Sequence, residues 1–199
     1  MADAFTITLI RHLPTKGNRE KRYIGWTDEP IIAAVRTKEM NEEVKQVVGS
    51  DLLRCRQTAK QLFGETPYLA NANWRECSFG DWEEKIYNEL KENVLYRAWI
   101  ANPRGVTPPN GESLTTMEKR VLQGLMESVE EVSSPIILTH GGPIRFLLTK
   151  FANNEKSFWE WDVPHGCMYN LSWASKEDIL EGKLCTSFSV EHLMENERM

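Results

Sequence analysis

Phe5-Thr6-Ile7-Thr8-Leu9-Ile10-Arg11-His12 and, far along the chain, Ile136-Ile137-Leu138-Thr139-His140-Gly141-Gly142 are the two stretches that decide the fold. Each is a short, β-branched, apolar run, the composition of a buried strand. Each stops at a histidine. The segments around them alternate between strand-like and helix-like patterns. That alternation predicts an α/β protein, a three-layer α/β/α sandwich with a mostly parallel sheet. In open sheets of this kind ligands bind outside the carboxyl ends of the strands, so His12 and His140 are expected to face one pocket. Gly141-Gly142 leads into a helix with Pro143 in its first turn, and such a helix start offers backbone N–H groups to an anion.

Working outward, Ser50-Asp51-Leu52-Leu53-Arg54-Cys55-Arg56 follows a short strand expected over Val44 to Val48 and opens a helix expected over Leu52 to Phe63. Arg54 therefore starts at the same mouth of the sheet, whereas Arg56 reads as a solvated helix face. Residues 11 to 30 read as loop, with Lys16, Arg19, Lys21 and Arg22 forming a basic cluster that either steers an anion or is plain surface. A weak helical pattern covers 32 to 43, loop with extended pieces 64 to 82, and one or two helices 83 to 100. Leu114, Met117, Val121, Leu125, Val129 and Val132 form one helical stripe behind a plausible Ser113 N-cap. A further strand is expected over 166 to 173, and the polar tail from Glu191 is expected to fray.

Composition narrows the classes. The chain has 199 residues, 41% of them hydrophobic and 27% charged, as in ordinary globular proteins. Lys and Arg number 24 against 29 Asp and Glu, a formal charge of −5. A generic nucleic-acid or membrane-surface partner is therefore not expected, and an anionic ligand must be held by a local group of cations. No run of apolar residues is long enough to span a membrane, and the first residues lack signal-peptide character. The four cysteines, Cys55, Cys77, Cys167 and Cys185, make no C-x-x-C pair. Reduced thiols in the cytoplasm are the plain expectation.

Several segments carry a family resemblance. Arg11-His12, Thr15 and Asn18 resemble an R-H-G-x-T-x-x-N motif, and Arg22, Gly25, Trp26 and Asp28 resemble R-x-x-G-W-x-D. Ser50 to Ala59, Arg75 to Glu83, Pro109 to Ser113, and Thr139 to Gly142 are similar to four further blocks in the same order. Together they resemble the histidine phosphatase (phosphoglycerate mutase-like) superfamily across residues 5 to about 173. The resemblance implies a phosphoglycerate mutase-like fold, a single domain over 1–199, and a lid or specificity insert over 84–112. Three features depart from the pattern: Leu13-Pro14 replaces Gly-Glu, Glu84 replaces Gly after Trp82-Glu83, and the connection over 29–49 is short for the family's usual helix.

By that resemblance His12 is a nucleophile that passes through a phosphohistidine, with its other ring nitrogen donating to a fixed acceptor such as a backbone carbonyl. Arg11, Asn18, Arg54, His140 and the Gly141 amide bind phosphate. Glu76 is the general acid, preferred over Glu83 because it holds the motif position. Arg22, Glu112 and His165 form a second tier at the substrate rim, where Glu112 contacts substrate or ties a loop and His165 lines the pocket or simply packs. No metal or cofactor is implied. Tyr96 to Trp99 and the Pro109-Asn110-Gly111-Glu112-Ser113 block resemble alpha-ribazole phosphatase-like and broad-specificity members. The expected activity is hydrolysis of a small phosphorylated metabolite, alpha-ribazole 5′-phosphate among the candidates. The alternatives are phosphoglycerate mutase-type transfer and a phospho-ligand binding protein without turnover. A homodimer stays open.

Overall fold

Ile7 and Leu9 point to one side of the first strand and Ile10 to the other, and all three are fully buried. A strand with both faces covered needs layers above and below it, and the computed structural model supplies them. It describes residues 4–33, 35–38, 40 and 44–194. The strands are β1 (Phe5–Arg11), β2 (Val47–Gly49), β3 (Tyr68–Ala70), β4 (Ile136–Thr139), β5 (Cys167–Trp173) and β6 (Ser187–His192). The helices are α1 (Lys16–Arg19), α2 (Leu53–Phe63), α3 (Tyr87–Leu90), α4 (Val94–Ala101), α5 (Leu114–Glu131), α6 (Gly141–Phe151) and α7 (Lys176–Leu180). The sheet order is β3-β2-β4-β1-β5-β6. The first four strands in that order run parallel, β5 runs antiparallel to β1, and β6 runs antiparallel to β5.

The larger core lies under α5, α6 and α7, where Ile7, Leu9 and Ile137 meet Met117, Val121, Leu125, Ile144, Leu147 and Ile179. The expected stripe on α5 is this buried face, and Ser113 caps the helix by accepting from the Thr116 amide at 3.0 Å. On the opposite face α2 lays Cys55, Ala59 and Leu62 against Ile10, Val47 and Leu138. The sheet is thus sandwiched, but unequally. On the α2 side β1 and β5 carry polar ladders: Thr6 with Ser172 at 2.8 Å, and Thr8 donating to Asn170 at 2.7 Å. These half-buried side chains satisfy one another beside a groove of about 630 Å³ bordered by Lys45, Gln46 and Ser133.

Two expectations need correction. The described part of 32–43 forms no helix; residues 34, 39 and 41–43 lie outside the described residues. Its backbone pairs with distant segments instead of its own preceding turn: Ile32 N–H donates to the Pro14 carbonyl at 2.9 Å and Lys38 N–H to the Leu193 carbonyl at 2.8 Å. The tail does not fray at Glu191. Residues Ser187–His192 pair with β5, and Leu193, only 1% exposed, donates its amide to the Gly166 carbonyl. Its alternation of Ser with Phe188 and Val190 suits an edge strand with one apolar face. Residues 195–199 lie outside the described residues.

The 84–112 segment carries α3 and α4. Leu90, Tyr96 and Trp99 pack with Trp82, Phe79 and Tyr23 in a separate aromatic cluster, and the Tyr23 and Tyr96 hydroxyls share a hydrogen bond of 2.6 Å. Gly80 joins the two ends of this segment. It holds φ at +52°, and a Cβ there would collide with the Pro109 carbonyl. Gly80→Ala is expected to lower unfolding free energy by more than the ~1 kcal/mol of a left-handed φ alone, read from urea denaturation. A loss below that figure would mean that the 109–111 turn yields freely.

Candidate active site

The register of the sheet builds the site. Arg11 sits opposite Thr139 in the parallel β1–β4 pair, and the His12 amide donates to the Thr139 carbonyl at 3.1 Å. The next residue on each strand is a histidine, so the rings of His12 and His140 meet edge to face with centroids 5.0 Å apart. β5 runs the other way, so its beginning lies at the same end of the sheet. There the Gly166 amide donates to the Arg11 carbonyl at 3.1 Å, and the ring of His165 meets His12 from another side at 5.2 Å. Three strand ends thus deliver three imidazoles.

Each ring has a definite electrostatic state. His12 Nδ1–H donates to the Leu13 carbonyl at 2.7 Å, so its Nε2 keeps a free lone pair. Burial, then the Arg54, His165 and Arg11 neighbours, hold its pKa well below the ordinary 6.5. His140 is fully buried and likewise held neutral, first by burial and then by Arg54. Its Nδ1 accepts from Arg54 Nε at 3.2 Å, which leaves the proton on Nε2, facing Cys55 Sγ at 3.6 Å. His140 thus has a guanidinium partner at Nδ1, while its Nε2–H faces the Cys55 sulfur. His165 is pushed down to about 3 by burial and then by Arg11, Arg54 and Arg145. It lies against His12.

The cations are equally fixed. Arg54, from the first turn of α2, is buried and donates to the Gly25 and Thr27 carbonyls at 2.6 and 2.9 Å. Loop 25–27 is in turn held by Glu83, which accepts from the Gly25, Trp26 and Thr27 amides and the Thr27 hydroxyl. Glu83 is thereby committed to structure. Arg11 donates to the Val163 carbonyl, and burial lowers its pKa to about 10. A Cβ on Gly141 would lie 3.3 Å from Arg11 Cζ and 3.1 Å from Arg145 Nη1, so the bare glycine lets both guanidiniums close on the α6 N-terminus.

Glu76 occupies that N-terminus. Its carboxylate accepts from the Gly142 amide at 2.9 Å and from Cys77 N–H at 2.9 Å. A Cβ on Gly142 would collide with it, which is the use of the second glycine. Helix-dipole and amide donors favour an anion there, so the Gly-Gly turn serves the carboxylate as well as any bound oxyanion. Two residues the sequence reading missed hold this arrangement. Arg120 grips Glu112 with two bonds of 2.6 and 2.7 Å and donates to the carbonyls of Asn73, Arg75 and Glu76. Arg145 donates to the Trp161 carbonyl at 3.0 Å and lies over the Trp159 ring. Arg145 had a legible signal, a cation one helical turn after Gly141. Arg120 had none, because its partners are backbone carbonyls of a distant loop and a carboxylate eight residues earlier.

The remaining expected residues take other posts. Glu112 ties the Glu76 loop through Arg120. Asn18 completes a capping box with Thr15 at the start of α1. Arg22 lies exposed, bound to Glu20 at 2.7 Å and to the Glu84 carbonyl at 2.6 Å, and latches the 84–112 segment. Among the described residues no group of three or more His, Cys, Asp or Glu is placed to hold a metal ion, and no helix is long and apolar enough to cross a membrane.

A sheet whose strand ends gather neutral imidazoles, buried guanidiniums and a carboxylate defines an α/β phosphoryl-group protein centred on histidine. The chain belongs to the histidine phosphatase superfamily (branch 1), whose family model matches residues 7–183. It is 29% identical over 151 residues to the "Probable phosphoglycerate mutase GpmB" of Escherichia fergusonii, covering 68% of this chain and 69% of that one. Its fold is similar to the alpha-ribazole phosphatase of Shigella flexneri, with a TM-score of 0.73, 21% identity and 96% of each chain covered. It is also similar to YhfR of Bacillus stearothermophilus, with a TM-score of 0.72, 24% identity, and 83% and 90% covered. At those identities the structural likeness shows the fold.

Three imidazoles buried without charge make stability fall with acidity. Below about pH 6.5 the unfolded chain binds protons that the native one does not, at about 1.4 kcal/mol per pH unit for each fully protonating histidine. The urea midpoint should drop between pH 6.5 and 5, and drop less steeply in His165→Leu. A flat midpoint over that interval would contradict the neutral assignment.

Proposed function

We propose that the protein is a phosphomonoester hydrolase that works through a phosphohistidine at His12 on a small phosphorylated metabolite. The observation that carries this reading is the 2.7 Å bond from His12 Nδ1–H to the Leu13 carbonyl, which leaves Nε2 an uncharged nucleophile among buried arginines. In the first displacement Nε2 forms a bond to phosphorus while the ester P–O bond breaks. The electron pair leaves on the alcohol oxygen, and Glu76 supplies its proton. In the second, Glu76 takes a proton from water as the water oxygen attacks phosphorus and His12 leaves with its lone pair restored. Arg11 and Arg54 stabilise the charge on the equatorial oxygens, the kind of preformed electrostatic contribution that dominates phosphoryl transfer.

The leaving-group side supports hydrolysis of an ester with an apolar alcohol. A cleft of about 60 Å³ next to Glu76 is walled by Phe79, Trp99, Met117, Phe158 and Trp159, with Arg145 as its cation. Such a wall offers area to an apolar or ring-bearing group, with Arg145 the one group there that suits a carboxylate. Alpha-ribazole 5′-phosphate is the specific substrate we place first, on the likeness to the Shigella protein. Mutase-type transfer is the second reading, favoured by the names of the curated relatives. The net charge of −5 supports a small-molecule partner over nucleic acid or membrane, and the four buried free thiols suit the cytoplasm.

The test is hydrolysis of p-nitrophenyl phosphate, with 32P labelling of the enzyme. His12→Ala should lose both label and turnover. Glu76→Gln should lower kcat/KM for alkyl phosphates by about 100-fold or more yet that for p-nitrophenyl phosphate far less, because nitrophenolate leaves without a proton, while the shared water step slows kcat for both. Isomerisation of 3-phosphoglycerate with negligible phosphate release would establish the mutase reading instead. Phosphate binding with no turnover on any ester would establish a binding protein.

A further inference from the structure

Among the described residues four buried side-chain polar atoms have no hydrogen-bond partner: Arg11 Nε, His165 Nε2, Trp74 Nε1 and Trp161 Nε1. Two of the four belong to the residues that flank His12, one its sequence neighbour and one its ring neighbour across the sheet end. An unpaired buried polar group costs about 1–3 kcal/mol, so a fold that keeps two at one place calls for an explanation.

His165 is held there by the backbone. Gly166, at φ +64°, turns the chain into β5, and its amide bridges the Arg11 and His12 carbonyls at 3.1 and 3.3 Å. The charges acting on the ring are all guanidiniums, those of Arg11, Arg54 and Arg145. A neutral imidazole in such a field presents its N–H best to an anion. The other two rings are spoken for. His12 uses Nε2 as nucleophile and Nδ1–H for Leu13, and His140 has Arg54 on one nitrogen and Cys55 on the other.

We propose that His165 is a phosphoryl-binding residue, donating Nε2–H to an oxygen of the group that His12 attacks, in addition to the donors the sequence pattern assigned. The ligand chemistry is a tetrahedral oxyanion bearing two negative charges. The proposal rests on the phosphoryl-transfer reading of the same site and deepens it.

The experiment measures inorganic phosphate binding by titration calorimetry on the whole protein, which needs no turnover. His165→Leu removes the donor, and His165→Gln keeps an N–H that reaches the position of Nε2. The leucine variant should bind phosphate ten- to a hundredfold more weakly, as for a lost hydrogen bond to a charged group. The glutamine variant should stay within about threefold of the parent. With p-nitrophenyl phosphate, KM should rise more than kcat falls in the leucine variant. Leucine within twofold of the parent, or glutamine as weak as leucine at unchanged thermal midpoint, would overturn the proposal. Should the leucine variant not fold, the parent's imidazole N–H spectrum decides. A downfield proton that appears with phosphate and is missing in His165→Gln supports the role, and no such proton overturns it. A parent that binds phosphate through His165 but hydrolyses nothing would sink the hydrolase reading alone. A parent that binds no phosphate would sink both.

Discussion

The pairing of β1 with β4 is the constraint on which the site depends. Two parallel strands in a fixed register end level with each other, and here the first residue past each end is a histidine. A slip of one residue would turn every side chain of β1 to the other face. Ile7 and Leu9 would leave the large core, and His12 would lose its neighbour. The apolar content of both strands therefore fixes the imidazole geometry. The hydrophobic stabilisation of the core and the chemistry of the site are the same event seen at two points on one strand.

Around that pair the protein invests heavily in keeping charge unpaired with charge. Arg54 is fully buried, yet it donates to backbone carbonyls and an imidazole. Burying a guanidinium without a counterion is costly, and carbonyl dipoles offset only part of that cost. The acids nearby are turned to other work: Glu83 accepts from loop amides, Glu112 is gripped by Arg120, and Glu76 sits on a helix start. The outcome is a pocket with positive potential and no internal anion bound to its arginines, ready for a ligand that brings its own charge. Burial first, and that same potential second, hold the histidines deprotonated, so the arginines that suit the site to an anion also favour the nucleophile.

The layers are unequal for a related reason. Where a helix would cover β1 and β5 on the α2 side, the strands carry Thr6, Thr8, Asn170 and Ser172, which hydrogen-bond to one another. A sheet face left open must be polar or it becomes sticky. The opposite face, which carries α5, α6 and α7, keeps a dense apolar core. Rigidity is concentrated where groups must be held, in the clamps made by Arg120, Glu83 and the Tyr23–Tyr96 bond.

Much of this was written locally. Phe5 to Ile10 and Ile136 to Leu138 declare themselves as buried strands because β-branched runs have few alternatives, and the α5 stripe repeats at helical spacing over its whole length. The ordered blocks around His12, Arg54, Glu76 and His140 named the family, and the sheet places those residues at one end. The bounds of Tyr68–Ala70 and the strand Ser187–His192 were not legible, since three to six residues of mixed polarity gain their structure from a neighbouring strand. The 32–43 pattern misled because distant carbonyls outbid the local turn for its amides. What only the tertiary structure decided was the direction of β5 and the engagement of each ring nitrogen. Strand sense leaves no mark on composition, and a hydrogen-bond partner many residues away has no periodicity. Both are settled by which groups happen to meet when the core closes, and that is why His165 and Arg120 came into view only in three dimensions.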